Sequence, residues 1–187
     1  MKKTFIAIGL IVVVAVAAWL LQGRMLKGLS GTVIDPPKPL THMILMDYER
    51  KAYPIDLLKG QWRYLIFADT QCGDICREQI TLTGKMFQGK PDNASRLLIM
   101  GFEPDKSFIE FLKANHSDLQ LAVLTRSIWS IFVLQFQLVM QQIGEMPFLL
   151  INPDGFMVMG YDELVTSELL GSDLQTLQRS FADKSTN

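Results

Sequence analysis

Residues 62–68 read Trp-Arg-Tyr-Leu-Ile-Phe-Ala, an apolar run of strand length, and a few residues later the hydrophobic period changes. A run without polar alternation suits a strand covered on both faces, and such a strand needs helices above and below it. Cys72, Cys76, Ile80 and Thr83 then recur at i, i+4, i+8 and i+11, the spacing of one helix face. This switch directs the chain toward α/β architectures, and the rest of the sequence repeats it. Residues 96–102 read as a second buried strand, followed by the Glu103-Pro104-Asp105 turn and a helix with Phe108, Phe111 and Leu112 on one face. A short strand is predicted over 119–124 and a helix over 127–142, ending near Gly144. Two strands, 148–151 and 156–159, flank the tight turn Asn152-Pro153-Asp154-Gly155, and leucines 169, 170, 174 and 177 mark a closing helix over 167–184. Upstream, 42–46 and 53–55 flank the polar turn 47–51 and read as a hairpin. The expected domain is α/β, with a mixed sheet and helices on both of its faces.

Ahead of this domain, residues 5–21 carry no charge, with Lys2 and Lys3 before them and Arg24 and Lys27 after. Seventeen residues at 1.5 Å rise is about 26 Å, the short end of a bilayer span. Ala15-Val16-Ala17 is also an acceptable cleavage site for a signal peptide. The apolar stretch continues past it through Trp19, Leu20 and Leu21, which favours an uncleaved anchor with Trp19 at the interface. Either reading favours export, hence a disulfide-permissive compartment. The expectation is a single-pass inner-membrane protein with its body in the periplasm. It divides into an anchor or signal peptide over 1–24, a Gly- and Pro-punctuated tether over 25–40 and a folded domain over 41–184. With 18 basic and 19 acidic residues, the charge balance gives no footprint for nucleic acid.

Cys72 and Cys76 are the only two cysteines. On a helix, this spacing puts both sulfurs on one face within reach of a disulfide. Cys72 is expected at the helix amino terminus, where unpaired N–H groups and the dipole favour a thiolate over the free thiol. Cys72 is then the attacking sulfur and Cys76 the resolving one; the same pair suits Cu(I). The alternatives are a structural disulfide or two core thiols, though a bond closing so short a segment removes little unfolded-chain entropy. No dinucleotide, P-loop or haem-attachment motif is present.

The segment from Gly60 through Ala68 to Cys72-Gly73-Asp74-Ile75-Cys76 resembles the SCO/SenC family, with an aspartate third in the C-x-x-x-C motif. The hairpin over 45–58, the stretch 100–105 with Glu103 before Pro104, and the turn at 152–155 are similar to that family as well. The resemblance implies a membrane-anchored thioredoxin-like fold and a copper or thiol role in cytochrome c oxidase assembly. It also implies a copper-binding histidine just before the strand that leads into the Pro-Asp-Gly turn. Here that stretch reads Ile143-Gly144-Glu145-Met146-Pro147-Phe148, and the only histidines, His42 and His116, do not match the position. Met146-Pro147 instead looks like the cis-proline loop of thioredoxins, which faces the active disulfide and the substrate backbone; the alternative is a trans proline that starts a strand. Met146 could offer a thioether to Cu(I), whereas Met140, Met157 and Met159 read as core.

Three functions follow. The first is an SCO-like thiol–disulfide oxidoreductase acting on the cysteines of an exported or membrane partner, the copper site of an oxidase subunit among them. The second is a Cu(I) chaperone holding copper through Cys72 and Cys76. The third is an anchored interaction domain with an inert disulfide.

Overall fold

The computed structural model describes residues 28–40, 44–47, 49, 51–54, 59–68, 73–89, 91, 93–101, 104, 106–143, 148–161 and 165–185. Its strands are β1 (Thr32–Pro39), β2 (Ile44–Met46), β3 (Ala52–Pro54), β4 (Trp62–Ala68), β5 (Ala94–Met100), β6 (Leu119–Val123), β7 (Phe148–Ile151) and β8 (Phe156–Tyr161). Its helices are α1 (Asp74–Gln88), α2 (Lys106–Asn115), α3 (Arg126–Ile143) and α4 (Ser167–Ser185). Among the described residues, no helix is long and apolar enough to cross a membrane.

The strands form one eight-stranded mixed sheet in the order β1-β8-β7-β4-β5-β6-β2-β3. β4, β5 and β6 run parallel, each joined to the next by a helical crossover, whereas β7 lies antiparallel to β4 and β8 antiparallel to β7. Two right-handed crossovers stepping the same way along a sheet put both their helices on one face. Accordingly Phe108 and Leu112 of α2 join Cys76, Ile80 and Met86 of α1, and Leu170 and Leu174 of α4, in one apolar cluster. α3 covers the opposite face, with Phe132 and Phe136 packed among Ile34, Leu65, Leu97 and Ile99.

β4 shows why its sequence has no polar alternation. Trp62, Tyr64 and Ile66 point into the first cluster and Leu65 into the second, all buried. Each such side chain contributes about 1.5–3 kcal/mol through the water it leaves. Arg63, also buried, is accommodated because its Nη1 donates to Ser95 Oγ at 2.8 Å and to Gln120 Oε1 at 2.7 Å.

Two expectations differ from the structure. Part of the expected tether is sheet: Thr32–Pro39 is an edge strand antiparallel to β8. Its prolines are tolerated because an edge strand leaves one side of its ladder unpaired. α1 begins at Asp74, behind an extended Gly73 N-cap (φ −66°, ψ −174°), so among the described residues the shared helical face starts at Cys76.

Candidate functional site

β4 ends at Ala68 in the middle of the sheet, and α1 starts at Asp74, so the segment holding Cys72 joins a central strand to a helix amino terminus. The first helical hydrogen bond runs from Arg77 N–H to the Gly73 carbonyl at 3.0 Å. Gly73 supplies no side-chain cap, so the first turn receives no oxygen acceptor from that position. Its N–H groups favour an anion beside them, while the Asp74 carboxylate in the same turn complements the dipole and opposes a second negative charge.

Cys76 lies in that first turn, 7% exposed, in the apolar cluster shared with Ile66, Met100 and Phe148. It is disulfide-bonded. The one other cysteine in the sequence is Cys72, which lies outside the described residues together with His42, Met146 and Pro147. Met146 and Pro147 directly precede β7 in the sequence, and the first residue of β7, Phe148, pairs with Ile66 of β4. The chain therefore leaves β4 toward Cys72 and enters β7 from Pro147 at neighbouring points of the sheet. Met157 and Met159 are core residues, as expected from the sequence.

His116 belongs elsewhere. Its imidazole lies beside Gly84, where a Cβ would come within 3.5 Å of Nδ1. Gly84 is eight residues beyond Cys76 on α1, about 12 Å along the helix, too far for the two side chains to share an ion. Partial burial and then the Arg96 charge lower the imidazole pKa from its ordinary value, against an opposing effect of Asp118.

Two arginines that the spacing of the cysteines did not single out support α1. Arg77 places its guanidinium 5.8 and 5.6 Å from the ring centroids of Phe108 and Phe111 on α2, fixing a cation one residue after Cys76. Arg96 is fully buried on β5; its Nη1 donates to the Ile80 carbonyl at 2.8 Å, one turn after Cys76. Its Nε and Nη2 donate to the Asp118 carboxylate at 2.6–2.9 Å. The i, i+3 pair Phe108 and Phe111 was a visible signal for the first. Nothing in local spacing marks the second.

No protein-family model matches the chain, and no curated protein matches it by sequence. Solved structures do match. Yeast Sco1 with copper bound superposes with a TM-score of 0.63 at 14% identity, over 78% of this chain and 95% of that one. BsSco, a member of the Sco family of cytochrome c oxidase assembly proteins in which a disulfide switch was identified, gives 0.59 at 17% identity, over 75% and 94%. The thioredoxin domain of a thiol-disulfide oxidoreductase from Bacteroides vulgatus gives 0.58 at 13% identity, over 75% and 95%. The chain has the thioredoxin-like α/β fold that Sco proteins and thiol-disulfide oxidoreductases share.

Proposed function

We propose that this protein is a membrane-anchored, periplasmic thiol–disulfide oxidoreductase of the SCO type, with Cys72 as nucleophile and Cys76 as resolving thiol. The observation that carries the reading is a disulfide-bonded Cys76 in the first turn of the helix that follows the central strand, in a fold matched by thiol-disulfide oxidoreductases and Sco proteins alike. In the reaction, the Cys72 thiolate attacks one sulfur of a partner disulfide. A Cys72–partner bond forms as the partner's bond breaks, and the released partner thiolate takes a proton. Cys76 then loses its proton and attacks Cys72, expelling the second partner thiol. Two electrons pass to the partner, and the pair is left as a disulfide.

Burial suits Cys76 to this second step, since a 7% exposed sulfur is a poor target for outside reagents and a good one for an adjacent sulfur. The Met146-Pro147 loop would receive the partner backbone, a reading supported by the pairing of Phe148 with Ile66. The partner class is a cysteine pair of an exported or membrane protein, the copper site of an oxidase subunit being the one that the SCO likeness favours.

A measured reduction potential tests this. A value within roughly −270 to −120 mV, the span of exchange-active dithiols, is expected; one below about −300 mV marks an inert structural bond and overturns the proposal. The second reading, a Cu(I) chaperone using the same two sulfurs, is favoured by the copper-bound yeast Sco1 structure among the fold neighbours. Anaerobic Cu(I) titration of the reduced protein separates the two.

A further inference from the structure

β1 enters the sheet level with the middle of β4, from the side on which β4 ends and α1 begins. Thr32 pairs with Gly160, Gly160 with Leu149, and Leu149 with Leu65, so Thr32 stands in the row of Leu65, three residues short of the end of β4. The other end of β1, Pro39, pairs with Phe156 beside the β7–β8 turn, at the opposite end of the sheet.

Immediately before Thr32 the backbone is fastened to the body. Ser30 N–H donates to Asp173 Oδ1 and Oδ2 at 3.2 and 3.1 Å, and Ser30 Oγ donates to Oδ2 at 2.6 Å. Gly31 N–H donates to the same Oδ2 at 3.2 Å. Asp173 sits on α4 and is 2% exposed. A carboxylate buried this deeply is costly unless donors surround it, and here the donors come from the incoming chain. Gly31 has no space for a side chain: a Cβ would come within 2.6 Å of Met159 Cγ and Sδ and 2.7 Å of Tyr161 Cε1. Leu29 packs against the adjoining apolar cluster.

Seven residues, 22–28, separate the apolar run from Leu29 in the sequence. Seven residues reach at most about 25 Å fully extended, and about 15 Å as a flexible coil. A domain of this size is roughly 35–40 Å across. The tether is thus shorter than the body it holds, and the end of the sheet at which it is fastened stays nearer the bilayer.

We propose that the Asp173 fastening is a mount that keeps the redox end of the sheet toward the bilayer, so that Cys72 and Cys76 act on thiols displayed close to the membrane surface by a membrane-embedded protein. The inference rests on the anchored reading of residues 5–21. The test uses the full chain in liposomes carrying a maleimide-headgroup lipid on a short spacer. One variant, Cys76→Ser, leaves Cys72 as the reporter at the redox end. Another places the reporter in the exposed β7–β8 turn, Asp154→Cys in a Cys72→Ser, Cys76→Ser background. Each rate is divided by that with a soluble maleimide, which removes differences in intrinsic reactivity. The normalised rate at Cys72 is expected to exceed that at position 154 by about fivefold or more, an effective-concentration difference. Inserting twenty Gly and Ser residues after Arg24 should bring the ratio toward one without touching the fold; Asp173→Ala, which leaves β1 paired with β8 and frees only the chain before Thr32, should lower it part of the way. A floating, membrane-bound chain with a ratio of one or less overturns the mount alone. A chain that does not float with the liposomes overturns the anchored reading and the mount with it.

Discussion

Replacing Asp118 with alanine removes a carboxylate that is 53% exposed, and exposed ion pairs are ordinarily worth about 0–1 kcal/mol. Its partner is not exposed. The Arg96 guanidinium is 1% accessible and has Asp118 as its counter-charge, with the Ile80 carbonyl, Thr83 Oγ1 at 3.3 Å and the Phe87 ring at 5.5 Å as neutral neighbours. Asp118→Ala therefore strands a buried cation, for which losses of about 3–5 kcal/mol are typical. Water reaching the vacated half-exposed position tempers this, and about 3 kcal/mol is expected. At roughly 2–4 °C per kcal/mol for a domain of this size, the midpoint of thermal unfolding should fall by about 6–12 °C. Arg96→Met combined with Asp118→Ala removes the charge together with its partner. It should cost less than Asp118→Ala alone, about 1–2 kcal/mol, for the lost Ile80 bond and Phe87 contact. Urea unfolding of the wild type, both single variants and the double variant closes the cycle. A loss below 1 kcal/mol for Asp118→Ala, or a double variant less stable than it, would refute the argument from the buried cation.

Three further outcomes are expected. In the reduced protein Cys72 should be alkylated faster than the buried Cys76 at neutral pH, by about tenfold or more; equal rates measured by mass spectrometry would contradict the division of roles. Reduced protein should bind Cu(I) through Cys72 and Cys76 and hold Cu(II), which prefers imidazole, poorly. Tight Cu(II) binding abolished by His42→Ala or His116→Ala would show that a histidine completes the site. The lowered pKa of His116 means that the unfolded chain takes up the proton first. Its neutral form therefore contributes stability above the unfolded value of about 6.5, and that contribution is lost as pH falls through the lower folded value. His116→Gln should flatten the difference in urea midpoint between pH 7.5 and pH 5; an unchanged difference would assign the acid sensitivity elsewhere.

The sheet's centre was legible because its cause is local. Trp62–Ala68 is apolar apart from Arg63 because both its faces are covered, and a run of that kind has few alternative uses. The start of α1 was displaced because Gly73 takes an extended conformation that the period of the cysteines does not reveal. β1 was hidden for a different reason. Its Pro-rich sequence lacks strand character, and what makes it a strand is β8, more than a hundred residues away. Ile34 is its one buried residue, beside an exposed Val33. Arg96–Asp118 and Ser30–Asp173 are likewise contacts between residues far apart in sequence, and no spacing rule reaches them. Of the candidate site, the sequence marked the cysteines themselves but not what holds the helix of Cys76, because tertiary packing supplies those supports.

The exchange chemistry is tested most directly by a Cys76→Ser variant expressed in the intact cell envelope. Without the resolving thiol, attack by Cys72 should stop at the mixed disulfide. The expected result is a discrete adduct that disappears on reduction, is absent from the Cys72→Ser, Cys76→Ser variant, and contains a membrane protein joined through Cys72. Absence of any reducible adduct, or the same adduct from a variant lacking Cys72, would contradict it.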